Sequence, residues 1–167
     1  VSDPVAPATL PRGRRLGVDV GKVRIGVALS DPDGLLAMPV ETVARDLGGQ
    51  ADIERLRQLV AENEVAVVYL GLPRHLNGTE GAAADDARGF AARLLAAEMF
   101  PAAVFLVDER LTTVTSQQDL HASGRSAKSQ RLVIDQQAAV IILQSALDFE
   151  RRAGRRAGEP THKETSP

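Results

Sequence analysis

Two short apolar runs lie almost end to end near the start of the chain: Arg15 to Val20 and Arg24 to Ser30, with Gly21-Lys22 at the turn between them. A connection this short joins only antiparallel neighbours, so the pair predicts a β-hairpin. Asp31-Pro32-Asp33-Gly34 is a second strong turn, and a short third strand is expected near Val40 to Val43. After this point the pattern changes. Asp52 to Asn63 carries Ile53, Leu56, Leu59 and Val60 at helical spacing, and Val65 to Leu70 is a continuous apolar run. An alanine-rich helix is expected over Thr79 to Met99, with Phe90, Leu94 and Leu95 as its larger contacts. A strand over Ala103 to Val107 follows, then helices over Thr112 to Ala122 and Ile134 to Glu150. Three antiparallel strands followed by alternating helices and strands specify an α/β fold with a mixed sheet.

The 167 residues suffice for one domain with a real core. Residues 1–13, punctuated by prolines, are expected to form a disordered arm, and 151–167, with Arg151, Arg152, Arg155 and Arg156, a disordered basic tail. The domain is therefore expected over 14–150. A chain without cysteine has no disulfides, thiolate metal sites or cysteine nucleophiles, which suits a reducing cytoplasm. No apolar stretch approaches the roughly 20 residues of a membrane span, and no secretory signal pattern is present. A net charge of −2 means that a nucleic-acid partner would require Lys and Arg gathered on one face. With one Tyr, four Phe and no Trp, the composition argues against a base-stacking platform.

Three acids stand out against this pattern: Asp19 inside the first strand, Glu109 at the end of the run from Val104, and Asp135 at the start of the last helical stretch. Strand alternation puts Asp19 with Gly17, opposite Leu16, Val18 and Val20. It puts Glu109 with Phe105 and Val107, at a strand's C-terminal end, where open α/β sheets place ligands. Asp135 shares a helix face with Ala138, Ala139 and Ile142, small enough to let the helix pack closely. One geometry brings the three together. Converging carboxylates repel unless a divalent cation lies between them, and all-oxygen ligation suits Mg²⁺ or Mn²⁺. Each acid also has a plainer explanation. Asp135 fits stabilisation by a helix dipole, and Glu109 fits a pair with Arg110. Asp19 is the hardest to explain away, because a strand interior disfavours Asp.

Several further groups suit a polyanionic substrate. Gly71-Leu72-Pro73 and Asn77-Gly78-Thr79 form a glycine-punctuated loop that either holds a phosphate on its amides or is an ordinary turn capped by Asn77 or Thr79. Arg125, Lys128 and Arg131 make a basic loop directly before Asp135, while Lys22 and Arg24 flank the first turn. His75 is a weaker substrate contact, and neither His121 nor His162 has metal-ligand spacing.

Four segments carry a family resemblance. They are Asp19-Val20-Gly21-Lys22-Val23-Arg24-Ile25-Gly26-Val27-Ala28; Gly71-Leu72-Pro73 with Asn77-Gly78-Thr79; Asp108-Glu109-Arg110-Leu111-Thr112-Thr113; and Asp135 through Gln144. In this order the chain resembles the YqgF/RuvX family, a branch of the RuvC-like, RNase H-like nucleases. The resemblance implies an RNase H-like fold with a five-stranded mixed sheet flanked by helices. It implies a Mg²⁺- or Mn²⁺-dependent endonuclease with Asp19, Glu109 and Asp135 as catalytic and metal-binding acids. The family's implied substrates are the end of pre-16S ribosomal RNA and the four-way DNA junction, handled by a monomer or a homodimer. One or two metal ions would serve the attacking and leaving oxygens. Arg110, Thr112 and Thr113 would orient the acids or contact phosphate. The basic loop, often richer in lysine in the family, reads Lys128-Ser129-Gln130-Arg131 here. Two other readings remain: a nucleic-acid or ribosome-binding factor without cleavage, and an actin-like ATPase fold whose phosphate hairpin resembles Asp19-Val20-Gly21.

Overall fold

The computed structural model describes residues 10–111 and 127–162; the side chains at 111, 127–129 and 132 are outside that description. The expected helix over Thr112 to Ala122 falls outside it as well.

The hairpin forms as expected. β1 (Arg14–Val20) pairs antiparallel with β2 (Arg24–Ser30), bringing Asp19 opposite Gly26, and β2 pairs antiparallel with β3 (Ala37–Ala44). The turn after β2 is built by Asp31, whose carboxylate accepts the N–H groups of Leu35 and Leu36, both at 2.8 Å. α1 (Ala51–Glu62) leads to β4 (Val65–Leu72), α2 (Ala82–Ala96) to β5 (Ala103–Asp108), and the crossovers make β1, β4 and β5 parallel. α3 (Ala127–Ala153) and a short β6 (Glu159–Pro160) complete a sheet of order β3-β2-β1-β4-β5-β6.

Strand alternation divides the core into two layers. Leu16, Val18, Ile25 and Val27 face α1 and α2, where Leu56, Val60, Phe90 and Leu94 bury themselves. Each such side chain contributes about 1.5–3 kcal/mol on burial. Ala28, Val67, Tyr69 and Val107 face α3, which presents Ala139, Ile142, Leu143, Ala146 and Leu147. α3 lies close against this face because glycines floor the sheet beneath it. A Cβ at Gly17 would stand 2.6 Å from Leu143 Cβ and 2.8 Å from the Ala139 carbonyl oxygen. A Cβ at Gly26 would collide with the Asp135 carbonyl, and one at Gly71 would lie 2.6 Å from Ile142 Cδ1.

Three expectations are corrected. α3 begins at Ala127, so Asp135 lies about two turns inside the helix instead of heading it. Lys128 and Arg131 accordingly sit on the first turns of α3 and not in a loop. The third correction concerns the strand count and the tail: residues 151–162 finish α3 and then add β6, which makes six strands in place of five. The cause is a buried charge cluster. Glu150 accepts from Arg15 Nη2 at 2.9 Å and Arg156 Nη1 at 2.9 Å, and the Tyr69 hydroxyl also donates to it. The Ala157 N–H donates to that hydroxyl at 3.2 Å, which draws the chain back to the β5 edge. Burial and the adjacent Glu150 carboxylate raise the Tyr69 pKa, keeping the phenol protonated as a donor.

Candidate active site

Asp19 and Glu109 meet on the α3 side of the sheet at the C-terminal ends of β1 and β5. Asp19 projects there because of its parity with Gly17. Glu109 begins the single 3₁₀ turn Glu109–Leu111 that ends β5, and its side chain lies across Gly71, where a Cβ would displace it. The two carboxyl groups share a hydrogen bond. Two carboxylates do this only with a proton between them, and desolvation, with the neighbouring Asp19 charge, pushes Glu109 up to about 7. Desolvation also raises Asp19, the Glu109 hydrogen bond works against that rise, and the Asp135 charge adds to it. The pair therefore keeps a shared proton near neutrality.

Asp135 is close enough for its charge to act on Asp19, but its carboxylate is turned to Arg24: Nε donates to Oδ2 at 2.7 Å. This ion pair supplies the reason for an acid in the middle of α3, where the helix dipole has faded. The next residue, Gln136, donates from Nε2 to Thr42 Oγ1 at 3.2 Å, tying the same turn of helix to β3. Among the described residues, no three acidic or histidine side chains are placed to hold a metal ion together. The donor set nevertheless fits a hard cation in part. Asp19 and Glu109 are half-buried carboxyls held together by a proton, the group a divalent ion replaces when it binds carboxylates. The third acid stands within electrostatic range, with a cation already against it.

The flanking groups are arranged unevenly. Arg110 turns away from the acids: its Nη2 donates to Asp108 at 2.7 Å and its Nη1 to the Leu76 carbonyl at 3.4 Å. That pairing holds Asp108 below the usual carboxylate range. It also ties β5 to the 71–79 loop, where Asn77 Oδ1 accepts from the Thr79 N–H at 3.0 Å and hydroxyl at 2.7 Å. Asn77 is thus a turn-former. It does not cap α2, whose N-cap is Gly81, although its amide and His75 remain exposed. Lys22 is exposed in the hairpin turn, and Arg131 is exposed near the start of α3. Thr112, Thr113 and Arg125, and the Lys128 side chain, lie outside the described residues. Reading the sequence alone missed the Arg24–Asp135 pair and the depth of the glycine floor. The available signal was glycine recurring on the Asp19 face, at Gly17, Gly26 and Gly71.

The family pattern described as "RuvX: Holliday junction resolvase" matches residues 13–149. The chain belongs to the RuvX family. A Streptomyces coelicolor relative is 60% identical over 149 residues, covering 89% of this chain and 87% of its own, and bears the name "Putative pre-16S rRNA nuclease". A relative from Clavibacter michiganensis has the same name and is 56% identical over 142 residues, covering 85% of this chain and 87% of its own. Among solved structures, Thermus thermophilus RuvC in complex with a Holliday junction substrate superposes with a TM-score of 0.57 at 12% identity. The superposition covers 89% of this chain and 99% of that one, and it shows a common fold. Among the described residues of this RuvX protein, no helix is long and apolar enough to cross a membrane.

Proposed function

We propose that this RuvX protein is a Mg²⁺- or Mn²⁺-dependent nuclease that hydrolyses phosphodiester bonds in structured nucleic acid in the cytoplasm. The observation that carries the reading is the proton-sharing Asp19–Glu109 carboxyl pair at the strand ends, with Asp135 in electrostatic reach. The names of its relatives favour the end of pre-16S rRNA as substrate, and the family description favours the four-way DNA junction. Asp19, Glu109 and Asp135 would hold the ion, which supplies an activated water and neutralises charge on the leaving oxygen. Glu109, titrating near neutrality, is suited to give up its proton as the site fills. Arg24 balances Asp135 and would contact the substrate's phosphate backbone. Arg110 fixes Asp108 and so the end of β5. Lys22, Asn77, Thr112, Thr113, Arg125, Lys128 and Arg131 complete the proposed phosphate-contacting set.

The test is Asp19→Asn, assayed beside wild type on precursor 16S rRNA and on a four-way junction at stated salt with Mg²⁺. Loss of cleavage by a folded variant supports the reading; cleavage at the wild-type rate refutes it. The engagement of Asp135 by Arg24 favours one second reading, a ribosome- or nucleic-acid-binding factor without cleavage. Wild-type protein that binds the RNA, takes up no Mn²⁺ and leaves the strand intact would establish that alternative.

A further inference from the structure

A cavity of about 430 Å³ opens immediately behind the acids, between the ends of β4 and β5, the last turns of α3 and the turn into β6. Leu72 and Asp108, each one residue from Gly71 and Glu109, lie on its wall. Along α3 the same face passes from Ile142, under Gly71, to Ala146 and Phe149 in the cavity. Seven residues of helix advance about 10 Å. At about 3.4 Å per nucleotide along a stacked strand, that is the reach of a nucleotide a few positions from a phosphate held at the acids.

The wall is divided chemically. Leu72, Val107, Ala146 and Phe149 make an apolar side. Its acids are already engaged: Asp108 by Arg110, and Glu159 by Arg88 at 3.1 Å. Its cations are engaged less fully. The Arg74 guanidinium makes no hydrogen bond among the described residues; its Nε is buried without a partner, and its Nη2 stands 3.4 Å from Glu80 and 4.0 Å from Glu159. Arg152, exposed at the end of α3, has no ion-pair partner among the described residues. The groups that face a ligand are two guanidiniums beside an apolar wall, Arg74 held only by a long ion pair to Glu80 and Arg152 exposed. They call for an anionic, acceptor-rich molecule with a flat apolar part, and the volume suits one of small-ligand size.

We propose that this cavity binds a single unpaired nucleotide of the strand presented to the acids, its phosphate on Arg74 and Arg152 and its base against Leu72 and Phe149. The proposal rests on the nuclease reading for the strand's direction, and on the cavity alone for the ligand. It makes the substrate a single-stranded end or a splayed junction arm, because a paired base cannot enter.

The probe is adenosine 5′-monophosphate, titrated in EDTA into full-length protein and followed by amide chemical shifts and calorimetry. Shifts at Leu72, Val107, Phe149 and Ala157 are expected. Arg74→Ala and Arg152→Ala should each weaken binding at least threefold, and Ser145→Trp, which fills the cavity, should abolish it, with thermal melts confirming that each variant folds. Shifts that map elsewhere, or a folded Ser145→Trp that binds like wild type, would overturn the proposal. A short single-stranded oligonucleotide should compete with the mononucleotide, and its blunt duplex should not. Binding of the mononucleotide with no competition from the oligonucleotide would assign the cavity to free nucleotides and overturn the strand assignment. Titration in EDTA separates this outcome from cleavage: a protein that cuts RNA but ignores the mononucleotide refutes the cavity proposal alone. One that binds it and cuts nothing refutes the nuclease reading alone.

Discussion

Gly26→Ala tests whether the close approach of α3 is what assembles the acids. Gly26 faces Asp19 across the hairpin, and its missing Cβ makes room for the backbone of Asp135. The added methyl would strike the Asp135 carbonyl and stand 3.1 Å from the Gln136 nitrogen. Both are helix backbone, which cannot rotate aside as a side chain does, so α3 must lift from the sheet. Overpacking of this kind costs 1–3 kcal/mol, and backbone-on-backbone collision belongs at the upper end, about 3 kcal/mol. In a domain of this size that corresponds to a fall in Tm of about 6–12 °C. Gly89→Ala is the matched control: Gly89 is exposed inside α2 with nothing within 4 Å of an added Cβ. There the same methyl should stabilise by up to about 1 kcal/mol through helix propensity. Thermal melts monitored by circular dichroism measure both. Equal behaviour of the two variants, or a Gly26→Ala melt within a degree of wild type, would refute the argument that glycine sets the helix height. A lifted helix also carries Asp135 away, so Gly26→Ala should lose Mn²⁺ affinity at temperatures where it is still folded.

Two further predictions follow from the ion pairs. Arg24→Gln removes the cation already resting on Asp135; the pair is half-buried and worth up to about 1 kcal/mol, so Mn²⁺ should bind up to about fivefold more tightly. Calorimetry showing weaker binding would mean that Arg24 supports the site instead of competing for it. Glu150→Gln leaves Arg15 and Arg156 without their buried counter-charge and should cost about 3 kcal/mol. Hydrogen exchange at Glu159 and Thr161 should then accelerate; unchanged protection would dissociate β6 from the charge cluster.

The parts of the fold legible in the sequence were those written in local pattern. The Gly21-Lys22 turn, the Asp19–Gly17 parity and the alternation after Asp52 specified the hairpin, the mixed α/β sheet and the face of Asp19, and put Glu109 at the end of β5. The errors arose where distant contacts decide. Residues 127–133 are mostly polar, and the apolar stripe that marks a buried helix begins only at Ile134; yet Lys, Gln and Arg are good helix formers, and the helix runs on through them. A two-residue β6 has no period to detect and exists because Glu150, Tyr69 and Arg156 anchor it. Arg24 carries no local sign that its partner lies 111 positions away.

The central claim is that Asp19 and Glu109 hold a proton where a divalent ion belongs. Mn²⁺ titration calorimetry at pH 6, 7 and 8, in two buffers of different ionisation enthalpy, measures this directly. Glu109 is pushed up to about 7, so its ionised fraction rises from roughly a tenth at pH 6 to roughly nine-tenths at pH 8. Affinity should therefore rise about tenfold across that range, with about half a proton released per ion at pH 7. An affinity independent of pH with no proton release, or no binding at any of the three, would contradict the account.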